Sequence, residues 1–514
     1  MSQFKIKPKT SPSCKTLVLK LSVLTALITS TSVIAAIPTD TSTLRAAVTS
    51  QGIIDHLNEL QIIANSNNGT RASGSSGYAK SVDYIQSKLS SDYYTITRQT
   101  FSFLKFSEPT PSELNRVSPN PVNYGHDIDF HTMSYSGAGD VTGTIVKAGG
   151  IIIPPTATTS STSGCLPTDF VPASTTEMQI SLVQRGGCTF ATKAKNAAAA
   201  GYDGIIIFNE GTTAGMGLIR GTLGAQNAIT IPVIGTTYAL GHELYNLSLQ
   251  GPVVVHMNVT ATITKTQSQN LIAETKKGRD DRVVVVGAHL DSVESAPGIN
   301  DNGSGSATTL EVAIQMANLG IEPKNKVRFT WWGAEEDGLI GSAYYVNGLS
   351  KTQIRNIALY LNFDMVGSPN FIRSVYTGVG NPKGSDVITG VFTSYFESIG
   401  MTYQVPARDI GRSDHTSFAG IGIPVGGLDA GYDQIKTHAE FLLFGGTEGA
   451  PMDPCYHQAC DTITNINETV INDLADAMAH TVLTFAQTTS AVNGTEKGVA
   501  NGRTGDYLGS HLIK

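Results

Sequence analysis

The chain has 514 residues, enough for two or three domains with cores of their own. Hydrophobic residues make up 40% and charged residues only 15%, a globular composition with a lightly charged surface. The net charge is −7 and no basic tract is long enough to hold nucleic acid, which excludes that class of partner.

Residues 1–20 are rich in lysine, and 21–36 (LSVLTALITSTSVIAA) form a short apolar core ending in small residues. This predicts an export signal over residues 1–36, too short and too rich in Ser and Thr to span a membrane. Cys14 leaves with it. The four remaining cysteines are an even number, as expected of an exported chain, and proximity pairs Cys165 with Cys188 and Cys455 with Cys460. N-x-S/T sequons stand at Asn68, Asn246, Asn258, Asn302, Asn467 and Asn493.

IIDHLNELQIIA has apolar residues at helical spacing, GTRASGSSG is a loop, and YAKSVDYIQSKL is again helical. YYTITRQTFSFLKF alternates as an edge strand does. Residues 107–125, rich in Pro, Ser and Asn, are expected as a linker. From 130 to 262 short β runs (GTIVKAG, ISLVQRG, GIIIFNE, ITIPVIGT) alternate with Gly and Thr clusters around one helix, FATKAKNAAAAG. This predicts a separate, mostly-β module. From about 268 strands and helices alternate, which predicts an α/β domain with a mostly parallel central sheet flanked by helices. The expected division is 1–36 signal, 37–129 the first part of the main domain with its linker, 130–262 the inserted module, 263–489 the rest of the main domain closed by a helix at 467–489, and 490–514 a tail.

In an open parallel sheet, ligands bind beyond the carboxyl ends of the strands. The apolar run DRVVVV leads there to His289, Asp291 and Asp301. KVRFTWWGA leads to Glu335 and Glu336, IALYLNF to Asp364, and GIPVGGL to Asp429. His457 sits on CYHQACD, a small loop pinned by the expected disulfide. Alone, each reads as a cap or turn residue. Gathered at successive strand ends, the carboxylates repel one another, and a cation is the simplest compensation. Two histidines with several carboxylates and no thiolate suit zinc, with manganese and cobalt as relatives, and the donors suffice for two ions. Two ions share a water and lower its pKa, and a remaining glutamate accepts its proton. Asp291, two residues from His289, is placed to bond the other imidazole nitrogen and fix its tautomer.

GAHLDSV, PGINDNGSG, WWGAEEDGLIGS, NFDMVG, GRSDHTSFAGIGIP and CYHQACDT, in this order, resemble the secreted di-zinc aminopeptidases, the family of aminopeptidase Y and the bacterial leucyl aminopeptidases. GTRASGSSGYAKSVDYI resembles the family's N-terminal segment. The resemblance implies the zinc-exopeptidase fold and two Zn2+ ions per chain. It assigns His289 and Asp364 to one zinc, Glu336 and His457 to the other, and Asp301 to both. It makes Glu335 the general base, Asp291 the residue that orients His289, and Tyr456 a donor to the developing oxyanion. Some members carry the Cys455–Cys460 pair around the same histidine. ISLVQRGGCTFATKAKNAAAAGYDGIIIFN resembles the protease-associated domain, whose usual role is substrate access or protein contact.

The expectation is therefore an exported or periplasmic zinc aminopeptidase acting on peptide and protein N-termini, without nucleic acid and without a stable membrane anchor. Carboxylates near the metals attract the free amine. An apolar pocket from segment 403–430, with Phe418, Ile421, Ile423 and Pro424 as candidates, favours Leu, Met or Phe. His415 and Asp414 are expected in the pocket wall, and Trp331 and Trp332 in the sheet packing. A carboxypeptidase or dipeptidase of the same fold needs a cation for the substrate carboxylate, for which Arg412 is the candidate. A glutaminyl-cyclase-like acyltransferase needs only one zinc.

Overall fold

The computed structural model describes residues 39–492, apart from 157–159, 213–214 and 408–410. The expected export signal and the tail beyond 492 lie outside the described residues. Seven strands form the main sheet, in the order 94–107, 262–275, 325–332, 279–289, 357–363, 425–429 and 374–375. The four strands from 325–332 to 425–429 run parallel, and the outer three pair antiparallel. The run Val283–Val286 lies at the centre with every side chain buried, as a strand covered on both faces requires.

Helices cover both faces. On one, Ser50–Asn65, Ser76–Lys88, Gly305–Asn318 and the closing Glu468–Gln487 bury Leu57, Ile85, Leu310 and Leu474 against the sheet. Each such side chain contributes roughly 1.5–3 kcal/mol by leaving water. The last helix is capped by Asn467, whose side chain accepts the N–H groups of Thr469 and Val470. On the other face, Trp332, Tyr345, Tyr360 and Phe418 make a second core layer. Gly305 is required where the helix 305–318 begins: a Cβ there would collide with the carbonyl oxygen of Phe363. That close approach brings the turn carrying Asp301 against the strand end carrying Asp364.

A second sheet of eight strands spans Glu113–Val259, in the order 122–123, 113–118, 254–259, 139–147, 179–184, 204–208, 233–236 and 130–132. Two features differ from expectation. Residues 113–118 and 122–123, inside the expected linker, are strands, the first paired with 254–259. The Pro/Ser/Asn-rich composition belongs to the turns around them. A second helix, Tyr238–Ser248, joins Phe190–Ala199, and four strands of the module are parallel. The edge strand at 94–107 and both disulfides, Cys165–Cys188 and Cys455–Cys460, form as expected.

Candidate active site

His289 is the last residue of strand 279–289. Its Nδ1 lies 3.1 Å from the backbone carbonyl of Asp291, which can only accept, so Nδ1 carries the proton. Nε2 then points at Asp301 Oδ1 and Asp364 Oδ1, both at 3.3 Å, with Glu335 Oε2 at 3.9 Å. Across the site, His457 Nε2 is 3.0 Å from Asp301 Oδ2 and 3.3 Å from Glu336 Oε2. Asp301 thus offers one oxygen to each imidazole. The four carboxylates are buried, and His457 stands on the loop closed by Cys455–Cys460, in left-handed backbone conformation at φ 58°.

The electrostatics demand positive charge. Burial opposes a charged His289, but the carboxylates of Asp364 and Glu335 outweigh it and raise its pKa well above the usual value. Burial likewise opposes a charged His457, yet Glu336 and Asp301 raise its pKa to about 9. Two imidazolium charges still leave four carboxylates undercompensated. His289, Asp301 and Glu336 bring ligand atoms within 4.8 Å of one another, as do His289, Glu335 and Asp364. The donor set of nitrogen and carboxylate oxygen, without sulfur, fits divalent metal ions.

Asp291 meets His289 through its carbonyl. Its carboxylate Oδ1 is 3.7 Å from Nδ1 and accepts the backbone N–H of Glu335 (3.2 Å), while Oδ2 accepts that of Glu336 (3.3 Å). Tyr456 stacks on the His457 ring with centroids 3.8 Å apart. Its hydroxyl accepts from Arg412 Nη2 at 3.1 Å, and burial raises its pKa well above the usual value, so the hydroxyl keeps a proton to donate. Arg412 also pairs with Asp433 at 3.2 Å and lies over the rings of Tyr432 and Tyr456. The cation that a carboxypeptidase would present to substrate is therefore held between Asp433 and two rings, its side chain only 16% exposed.

Asp429 is not in the cluster. It ends strand 425–429 in the wall of an adjacent pocket of about 300 Å³, and burial raises its pKa to about 6. That pocket is lined by Ile372, Tyr376, Tyr432 and Met452 among others. Phe418 and Ile423, expected there, are instead core residues, with Phe418 stacked on Tyr360 at 4.0 Å. The helix His415–Ala419 turns its apolar side to the sheet, which periodicity over five residues does not reveal. His415 lines the pocket, and Trp331 and Trp332 are fully buried in the sheet packing.

Sequence reasoning missed three supports. Ser413 Oγ donates to Asp364 Oδ2 at 2.7 Å and receives the Asn362 amide at 2.8 Å. Arg71, fully buried, donates to the carbonyls of Leu290, Pro297 and Gly298 and braces the loop after His289. Asp461 grips the N–H groups of Asn300 (2.8 Å) and Asp301 (3.0 Å). Arg71 and Asp461 lie within the quoted motifs, but their partners are distant in the chain. Asn302, one of the sequons, is fully buried, its Oδ1 accepting the N–H of Gly305 and Met365.

A cleft of about 720 Å³ opens on the His457 side, between the main domain and the inserted module. Glu336, Tyr456 and His457 line one wall, and Tyr135, Asp127, His131 and Arg220 of the module line the other.

Residues 270–482 match the model of peptidase family M28, and residues 141–244 match that of the PA domain. An aminopeptidase of Pseudomonas aeruginosa is 41% identical over 451 residues, covering 86% of this chain and 82% of its own. Leucine aminopeptidase 2 of Trichophyton equinum is 36% identical, covering 81% and 80%. The structure of a zinc aminopeptidase from Bacillus subtilis superposes with a TM-score of 0.56 at 25% identity, over 85% of this chain and 94% of that one. The chain belongs to peptidase family M28, and it is a peptide-bond hydrolase of the metallo-aminopeptidase kind that carries a PA domain.

Proposed function

We propose that the protein is an exported zinc aminopeptidase that removes apolar N-terminal residues, leucine foremost, using two zinc ions. The carrying observation is Asp301, which faces His289 with one oxygen and His457 with the other. His289 and Asp364 would hold one ion, Glu336 and His457 the second, with Asp301 shared. The fit rests on the crowding of carboxylate oxygens around His289 Nε2, with Asp301 and Asp364 both at 3.3 Å. Nδ1 donates to the Asp291 carbonyl, so Nε2 is the nitrogen that would exchange its proton for a cation. Zinc bound there supplies Lewis acidity, polarising a carbonyl and lowering the pKa of water within its reach.

The chain's own residues do the rest. Glu335 takes the proton of the attacking water at Oε2 and returns it to the leaving amine. The Tyr456 hydroxyl, polarised by Arg412, donates to the oxyanion. Glu335 and Asp364 attract the substrate's free ammonium group, which an N-blocked peptide lacks. The apolar part of the 300 Å³ pocket takes the side chain of the residue released. The relative named for leucine supports that preference. Export is supported by the Lys-rich and then apolar start of the chain and by two disulfides. Among the described residues, no helix is long and apolar enough to cross a membrane.

The test is hydrolysis of a leucyl anilide and its N-acetylated twin, before and after metal stripping and zinc repletion, with metal counted per chain. Cleavage of the free amine alone, lost on stripping and restored at two zinc equivalents, is the expected result. Equal cleavage of both substrates would remove amine recognition, and full activity at one equivalent would remove the second ion.

A further inference from the structure

The module's wall of the large cleft carries a polar group that the reaction chemistry does not use. Asp127 accepts from Arg220 Nη1, from His131 Nδ1 at 2.8 Å, and faces His126 Nδ1 at 3.0 Å. His126 meets Glu108 on its other side at 3.4 Å. His126, Asp127 and His131 have the composition of a metal site, but Arg220 occupies the Asp127 oxygen that an ion would need. A guanidinium there repels a cation. Arg220 also donates to the Asp127 carbonyl at 3.3 Å, and its Nε–H has no hydrogen-bond acceptor among the described residues. Its side chain is 37% exposed, and it lines the cleft. Asp127 thus stands against Arg220 and His131, while His126 is shared between Asp127 and Glu108.

Substrate direction follows from the two cavities, and so rests on the proposed function. The 300 Å³ pocket adjoins Ser413, which bonds Asp364; the cleft adjoins Glu336 and His457. With the amine at Asp364 and the first side chain in the small pocket, the chain beyond the scissile bond leaves past Glu336 into the cleft. The module's wall is fixed relative to that path. The Tyr135 hydroxyl lies 3.0 Å from the carbonyl of Asp337, on the turn that carries Glu335 and Glu336.

We infer that Arg220, with His131 beside it, forms a subsite for a carboxylate of the peptide downstream of the scissile bond. An arginine edge matches a carboxylate with two parallel N–H donors. The carboxylate is either the C-terminus of a short peptide or an acidic side chain.

The experiment uses the zinc-loaded full chain and leucyl peptides of two to five residues, each as free acid, as C-terminal amide, and as amide with one downstream Glu. A leucyl anilide, which has no downstream residues, is the reference. For Arg220→Ala, the ratio of kcat/KM on a carboxylate-bearing peptide to that on the anilide is expected to fall about tenfold, through KM, while the plain amides keep their ratio. Loss on the free acids assigns the terminal carboxylate; loss on the Glu-containing amides assigns the side chain. Arg220→Lys, which keeps the charge, is expected to recover part of the loss and guards against a folding defect in the alanine variant. The same peptides titrated into Glu335→Gln protein give dissociation constants without turnover, expected to rise about tenfold with Arg220→Ala. A wild-type chain that treats acids and amides alike at every length, or an Arg220→Ala ratio equal to wild type, would overturn the subsite. An inactive wild type on the anilide would instead sink the proposed function, and the titration would still read the subsite.

Discussion

Asp461 accepts the backbone N–H of Asp301 at 3.0 Å through Oδ2. Its other oxygen takes the N–H of Asn300 at 2.8 Å, and Asn465 donates to that same oxygen at 3.3 Å. Asp461 directly follows the disulfide loop that carries His457. One carboxylate therefore ties the residue between the two imidazoles to the segment that presents one of them. An Asn in its place keeps one acceptor and turns an NH2 group towards a backbone N–H. Asp461→Asn is expected to cost about 1–3 kcal/mol in stability. Zinc affinity should fall about 10–100-fold, as when a partner that orients a ligand is lost. Metal titration beside denaturant unfolding checks both, and wild-type zinc affinity in the variant would refute the coupling.

Glu335 Oε2 lies 3.9 Å from His289 Nε2, farther than the oxygens of Asp301 and Asp364. That position suits a proton carrier better than a ligand. Glu335→Gln should lower kcat by roughly 10²–10⁴-fold while zinc content stays at the wild-type level. Loss of zinc along with activity would make Glu335 a ligand.

The Cys455–Cys460 bridge closes a loop with its Cα atoms 5.3 Å apart and a sequence separation of 5. So short a loop loses little entropy in the unfolded chain, so its contribution to global stability is small. Its local effect is to hold His457 in its left-handed conformation. The double variant Cys455→Ser/Cys460→Ser should weaken one zinc site about tenfold and leave the melting temperature within a few degrees. A stepwise zinc titration reads the two proposed sites separately, and uniform weakening of both would count against this.

The strand ends that carry His289, Asp364 and Glu335 were legible because a buried parallel strand must be apolar throughout, so the first charged residues after it mark the sheet's edge. Asp301 follows the same strand as His289, but its place between the two imidazoles was legible only through the resemblance. Its turn depends on Gly305 meeting Phe363 and on Asp461 holding its backbone, and these contacts join residues about 60 and 160 positions apart. The pocket wall was misread for a related reason. Phe418 and Ile423 are as apolar as pocket residues, and only the docking of the helix His415–Ala419 decides which way they face. The strand at 113–118 was hidden because one of its two alternating buried positions is a polar residue, Arg116, beside Leu114, and the edge strand at 122–123 because two residues show no period.

Glu108 and His126 give the module a stability that depends on pH with opposite signs at its two limits. Burial disfavours a charged Glu108, but hydrogen bonds from His126, Ser112 and Thr132 outweigh it and hold its pKa at about 2. The bond to Glu108 raises His126, against the opposing effect of burial and with help from Asp127. A carboxyl depressed on folding stabilises above its unfolded pKa, about 4.3, and loses that contribution as pH falls towards 2. An imidazole raised on folding stabilises fully below its unfolded pKa, about 6.5, and loses that contribution as pH rises through the folded value. The pair therefore contributes most between those two unfolded values. His126→Gln should cost about 1–2 kcal/mol near pH 5.5, and the gap to wild type should narrow at alkaline pH, once pH has risen through the raised folded value and the wild-type imidazole has lost its charge. Denaturant unfolding at the two pH values measures it. An equal gap at both would mean that His126 acts by packing against Phe130, its ring neighbour at 5.4 Å, rather than through its charge.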